Sequence, residues 1–178
     1  MNKITGQTGF LITALLPHLI NVNLEDCIIH FGGPSDISEF NEQSTNQMIQ
    51  EVKELLRQDF KLFIFASSEG VRQRSKNYNQ ELYNTAKEKC ENLIKQSGVN
   101  YIILRIPRVY GFERRKGLMK YIREKRIQDW DTQIEYYDID EFVEETINFL
   151  LTKKINITKE YPNVQVNTIR EIKEIYNL

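Results

Sequence analysis

Lys61-Leu62-Phe63-Ile64-Phe65-Ala66-Ser67-Ser68-Glu69-Gly70 is the stretch that decides the fold. Leu62 to Ala66 is an unbroken apolar run, too short for a buried helix and closed by polar residues and a glycine. Such a run reads as a strand covered on both faces. Two further runs have the same character, CIIHF (27–31), ended by Gly32-Gly33-Pro34, and YIILRI (101–106). Helical patterns lie between them. Residues 44–57 carry Ile49, Val52, Leu55 and Leu56 on one face. Residues 79–97 carry Leu82, Ala86, Cys90, Leu93 and Ile94 at helical spacing, with Gly98 as the stop. Upstream, residues 1–5 are a short extended start and Gly6 to Gly9 a turn. Phe10 to Ile20 suits a helix despite Pro17 in its interior. Strand and helix thus alternate, which predicts an α/β fold around a parallel sheet.

The rest of the chain is more polar. Residues 113–126 are rich in Arg and Lys and read as helical. Asp138-x-x-Glu141 resembles a capping box before a helix carrying Phe142, Val143, Thr146, Ile147 and Leu150. Thr168-x-x-Glu171 opens a short terminal helix with Ile172 and Ile175. The expected organisation is a sheet domain over 1–112 and a small helical, substrate-binding lobe over 113–178.

Bulk properties narrow the function. The chain has 178 residues, about one domain, and can bury a core without metal or disulfide staples. A net charge of −1 gives no reason to expect nucleic acid or an acidic membrane as partner. Cys27 and Cys90 fall in apolar patterns without a Cys/His cluster, so they read as buried thiols of a reducing compartment, and no metal site is expected. No run reaches the length of a membrane span and the N-terminus lacks a secretory pattern, so the expected location is cytoplasmic.

Ser68 followed by Tyr83-x-x-x-Lys87 is the pattern richest in chemistry. Residues four apart on a helix face the same way. An ammonium beside a phenol favours the phenolate, so Tyr83 is expected to titrate below its usual value and to serve as a general acid/base. Ser68 ends a parallel strand, where open α/β sheets place ligands, and its hydroxyl can hold a substrate alcohol or carbonyl. A chance Tyr/Lys pair on an exposed helix is the bland alternative. Gly6 and Gly9 in Thr5-Gly6-Gln7-Thr8-Gly9-Phe10-Leu11-Ile12 form a turn whose backbone N–H groups could approach a pyrophosphate at a helix N-terminus. His30 lies in an apolar strand and reads as a satisfied core histidine rather than a catalytic one.

In order along the chain, these segments resemble the extended short-chain dehydrogenase/reductases, the NAD-dependent epimerase/dehydratase group that acts on nucleotide sugars. TGQTGFL resembles its TGxTGFxG loop, CIIHFGGPSD its strand-four ending, FIFASSEGV its serine-bearing strand and YNTAK its YxxxK helix. LRIPRVYG (104–111) is similar to its LRxxNVYG segment, EYYDIDEFVEETI to its YVDDVAxAI segment and VNTIREI to its terminal helix. The resemblance implies a Rossmann-like sheet, NAD or NADP as cofactor and a nucleotide-sugar substrate. It assigns Gly6, Gly9, Phe10 and Leu11 to the pyrophosphate loop, and Phe31, Gly32 and Gly33 to the cofactor ribose. Ser68 would position substrate, Tyr83 would be the acid/base and Lys87 would touch the nicotinamide ribose. Arg108 stands where the family has Asn and could supply a charge to a diphosphate.

Three departures qualify the resemblance. Ile12 replaces the third glycine, the loop between Ser68 and Tyr83 is short, and the chain passes from Ile20 through NVNLEDC straight into CIIHF. A βαβ unit needs roughly 30 residues, so strands two and three of the family fold are expected to be missing, with the ribose-reading acid. Glu25 and Asp26 read as a turn. Strand one becomes an edge that needs cover or a partner chain, and a homodimer is one way to rebuild that side. Two functions follow: an NAD(P)-dependent nucleotide-sugar epimerase or reductase, or a catalytically inactive homologue that binds a nucleotide sugar or a protein.

Overall fold

The computed structural model describes residues 2–6, 9–33, 37, 40–114, 117–162 and 164–178. Gln7 and Thr8 of the glycine turn, Pro34, Ser35 and Asp36 after the second glycine pair, and Arg115 and Lys116 of the basic stretch lie outside the described residues. In chain order the elements begin β1 (Lys3–Thr5), α1 (Phe10–Leu19), β2 (Cys27–His30), α2 (Glu42–Leu55) and β3 (Leu62–Ser68). A 3-10 turn (Glu69–Arg72), α3 (Tyr78–Gln96), β4 (Tyr101–Ile106), β5 (Val109–Tyr110) and α4 (Leu118–Arg123) follow. The chain ends with β6 (Gln133–Asp138), α5 (Ile139–Leu151), β7 (Ile157–Glu160), β8 (Gln165–Thr168) and α6 (Ile169–Ile175).

Five strands pair in parallel in the order β1-β2-β3-β4-β7. Because side chains alternate across a strand, each apolar run feeds two cores. Ile64, Ala66, Ile102 and Leu104 face Ile12 and Leu15 of α1 and Phe142, Val143 and Leu150 of α5. Phe63, Phe65, Ile28 and Ile103 face Met48, Val52 and Leu55 of α2 and Ala86, Cys90 and Ile94 of α3. The result is a Rossmann-like sandwich, with helices on both faces of a parallel sheet. Polar caps fix where the helices start: Asn41 Oδ1 accepts from Ser44 N at 3.0 Å and Asn77 Oδ1 from Gln80 N at 3.0 Å.

The last third of the chain divides its allegiance. α5 packs on α1, and β7 joins the main sheet through the Ile102–Ile157 register. The remaining elements make a small lobe that holds strands as well as the expected helices, in the order β5-β6-β8. Its core is Tyr110, Met119, Ile122, Tyr136, Ile169, Ile172 and Tyr176. The basic helix is shorter than its composition suggests, because Gly117, at φ 61°, starts it late and Lys125, at φ 54°, follows its end. Thr168 and Glu171 form the full reciprocal capping box. Asp138 instead caps α5 by accepting from Asp140 N at 2.8 Å. Among the described residues no helix is long and apolar enough to cross a membrane.

Candidate active site at the carboxyl edge of the sheet

Parallel pairing puts the carboxyl ends of β1, β2, β3 and β4 on one edge, which gathers Gly6, Gly32, Ser68 and Arg108 from distant parts of the sequence. Gly6 has φ 73°, and a Cβ there would stand 2.7 Å from the carbonyl carbon and oxygen of Phe31. Only glycine allows the two turns to touch. Gly9 donates back to Gly6 O at 2.8 Å and caps α1 without a side chain, and the first turn of α1 holds no acidic residue. That turn therefore carries the positive end of the helix dipole with no acidic side chain of its own to offset it. Leu11 and Phe31 pack against the core, so whatever they contribute to a ligand is steric. Ile12 is fully buried and fills the space that a third glycine would leave between α1 and the sheet.

Ser68 ends β3, and its Oγ accepts from Gly70 N at 3.2 Å, leaving its own O–H to donate. A Cβ on Gly70 would lie 2.5 Å from Asn84 Oδ1, so the serine turn is pressed against α3 one residue past Tyr83. Beneath it, Ser67 donates to Glu91 at 2.7 Å. Arg105 grips both oxygens of that carboxylate at 2.9 and 2.7 Å and also reaches Glu160 at 3.2 Å. These bonds hold Glu91 ionised against its burial and lock α3 to β3 and β4.

Lys87 is buried. Its Nζ donates to Ala66 O at 2.7 Å, stands 4.8 Å from the Phe65 ring centre and 5.6 Å from that of Tyr83, and lies 3.8 Å from where a Cβ on Gly33 would be. Burial pulls it down to about 8. The ammonium thus faces the second glycine pair, and it approaches the face of the Tyr83 ring. For that reason the expectation of a lowered phenol is corrected: burial pushes Tyr83 up to about 12, and the cation that opposes this is Arg114. Tyr83 packs edge-on against Phe40 at 5.4 Å and remains a protonated phenol at neutral pH.

Arg108 is exposed and couples to Glu69, whose carboxyl burial raises, and to Tyr110. Arg114 lies between the rings of Phe10 and Tyr110, at 5.6 and 5.7 Å. The sequence places it only within a basic stretch, because nothing local signals that Gly111 and Arg114 come back onto Phe10 of α1. Trp130, Tyr136 and Tyr137 are packing residues, Tyr136 stacking on Tyr110 at 5.3 Å and Trp130 lying under Lys173. Asp26 precedes β2 at the opposite end of the sheet and pairs with Lys61 at 3.2 Å. His30 is only half satisfied: Nδ1 shares a 2.5 Å bond with Thr5 Oγ1, while the buried Nε2 has no partner among the described residues. Clefts of about 370 and 460 Å³ open on the lobe, beside Trp130 and Phe112, and neither is lined by Ser68, Tyr83 or Lys87. Among the described residues no three His, Cys, Asp or Glu side chains are grouped to hold a metal.

Sheet order, two helical layers and a ligand-facing carboxyl edge define a Rossmann-like α/β protein. No protein-family model matches the chain, and no curated protein matches its sequence. Its fold is that of several solved nucleotide-sugar enzymes. It is similar to a UDP-galactose 4-epimerase, with TM-score 0.75 and 16% identity over 98% of this chain and 81% of that one. The UDP-glucose 4-epimerase of Thermotoga maritima, solved with UDP-glucose, gives TM-score 0.72 and 17% identity over 99% and 83%. The UDP-glucuronic acid 4-epimerase of Bacillus cereus, in complex with UDP-glucuronic acid and NAD, gives 0.72 and 17% over 99% and 82%.

Proposed function

We propose that this chain is an NAD(P)-dependent nucleotide-sugar epimerase or reductase in which Tyr83 is the general acid/base. The observation that carries the reading is the meeting of the Gly6 turn, Gly33, Lys87 and Tyr83 on the carboxyl edge of a fold shared with 4-epimerases. The residues fit the nicotinamide half of a dinucleotide. Gly6 and Gly9 put bare backbone beside the N-terminus of α1, and Lys87, whose Nζ stands beside Gly33, would hold a ribose hydroxyl. On the adenosine side, β1 pairs only with β2 among the described residues, which supports the reading that strands two and three of the family are absent. A second copy alongside β1 could cover that edge.

When bound, the cofactor supplies the hydride donor or acceptor. Ser68 donates to the reacting oxygen of the sugar through its O–H, which accepting from Gly70 N leaves available. Tyr83, protonated at neutral pH, gives its proton to that oxygen as a carbonyl is reduced, and must take one back in the oxidising direction. Lys87, its ammonium fixed by the Ala66 carbonyl, would hold the cofactor's hydroxyls. The test is turnover of UDP-sugars with added NAD or NADP by wild type and Tyr83→Phe. The reading requires activity in the first and a loss of about 100-fold or more in the second, with unchanged circular dichroism.

A second reading, an inactive homologue that binds a nucleotide sugar or a protein, draws on the raised Tyr83 phenol and the edge position of β1. It requires nucleotide-sugar binding without cofactor and no effect of Tyr83→Phe.

A further inference from the structure

Residues 20–26 alone join α1 to β2, and β2 pairs in parallel directly with β1. The join stays at the amino edge of the sheet. Asn2, just ahead of β1, donates to Leu24 O at 2.6 Å and accepts from Cys27 N at 3.1 Å, and Val22 is buried. Beyond β1 no further strand is paired among the described residues. In open sheets that hold a dinucleotide, the pyrophosphate sits at the first glycine turn, and an acid at the end of the next strand outward reads the adenosine ribose. Neighbouring strands lie about 4.8 Å apart, so here the adenosine half would extend past the last strand.

The polar groups on the β1 side are turned elsewhere. Thr5 Oγ1, at the carboxyl end of β1, shares a 2.5 Å bond with the buried His30, and Thr13 of α1 donates to Gly9 O at 2.8 Å. Asp26 stands at about the sequence distance from the glycines where a ribose-reading acid is found. It precedes β2, however, at the opposite end of the sheet, and pairs with Lys61 at 3.2 Å. Lys3 is likewise occupied, reaching Gln58 at 3.0 Å. α1 contains no Asp, Glu, Lys or Arg, so it offers neither an acid to a ribose nor a cation to a 2′-phosphate. The other half of the edge is built by contrast. The Gly6 turn meets the Phe31 backbone, and Lys87 Nζ stands beside Gly33 and 5.6 Å from the Tyr83 ring centre.

We propose that the chain recognises its cofactor by the nicotinamide mononucleotide half alone, with the phosphate at the turn of Gly6 and Gly9, the nicotinamide ribose at Lys87, and no part in binding for adenosine. The inference rests on the reading of this edge as a nicotinamide site and deepens it. Nicotinamide mononucleotide becomes a sufficient cofactor, and NAD and NADP become equivalent, because the phosphate that distinguishes them lies on the adenosine half. A second copy laid along β1 would restore adenosine contacts and makes the opposite prediction.

The experiment is calorimetric titration of the full chain with NAD, NADP and nicotinamide mononucleotide, each oxidised and reduced, and with AMP. In one redox state the three nicotinamide ligands should agree within about 3-fold, and AMP at millimolar concentration should neither give heat nor displace them. Lys87→Met, or Lys87→Gln where the first fails to fold by circular dichroism, should weaken all three by the same factor, about 10-fold. Unchanged affinity in the folded variant overturns the placement of the ribose at Lys87. NAD or NADP binding about 10-fold or more tightly than the mononucleotide, or displacement by AMP, overturns the inference and leaves the edge a dinucleotide site. No binding of any nicotinamide ligand overturns both. Equal binding of the three with a silent Tyr83→Phe keeps this inference while the acid/base reading falls.

Discussion

Acidification should remove about 3 kcal/mol of stability through His30 alone. The side chain is 2% exposed, stacked at 5.8 Å on Phe65, bonded at Nδ1 to Thr5 and unpartnered at Nε2 among the described residues. Burial, assisted by the charge on Lys87, pulls it from 6.5 down to about 4. The folded form therefore excludes a proton that the unfolded chain accepts, and stability is present above pH 6.5 and lost as pH falls toward 4. At about 1.4 kcal/mol per pH unit this interval amounts to about 3 kcal/mol. That is a large part of the roughly 5–15 kcal/mol that holds a domain together. The assay is urea denaturation followed by circular dichroism between pH 7 and pH 4, for wild type and His30→Gln. Glu91, held ionised by Arg105, also loses its contribution in acid, but in both proteins, so the difference between the two curves isolates His30. The gap in unfolding free energy should change by about 3 kcal/mol across the window. Parallel curves would refute the reasoning, because the imidazole would then be titrating as it does in water.

Two other substitutions report on the scaffold around the site. Glu91→Ala strips the buried partner from Ser67 and Arg105 and should cost about 3 kcal/mol in urea unfolding, since among the described residues Arg105 then keeps Glu160 alone. Gly6→Ala forces a Cβ to within 2.7 Å of the Phe31 carbonyl at φ 73°, so it should cost about 2 kcal/mol in urea unfolding and weaken NAD or NADP binding in a calorimetric titration.

The parallel sheet was legible because doubly buried strands are unbroken apolar runs: Cys27–His30, Leu62–Ser68 and Tyr101–Ile106 needed no partner to be seen. Gln133–Asp138 and Gln165–Thr168 were not, since QIEYYD and QVNT carry a weak pattern and acquire their register only by pairing with each other. Ile157–Glu160 is similarly hidden, a polar edge strand whose membership in the main sheet comes from β4. In the site, Tyr83 and Lys87 share a helix face as their spacing requires, and Lys87 does meet Gly33. Electrostatics was the part that spacing could not supply. An i, i+4 pair says that two side chains are neighbours, whereas the Ala66 carbonyl and the Phe65 ring decide where the ammonium goes. Arg114 was hidden for the same reason, because its contact with Phe10 is made only when the loop after Gly111 closes on α1.

The central claim, that this edge still holds a nicotinamide dinucleotide, is tested most directly by calorimetric titration of the wild-type chain with NAD, NADH, NADP and NADPH. The account predicts saturable one-to-one binding of at least one of them below millimolar concentration. No heat of binding from any of the four at millimolar concentration would contradict it.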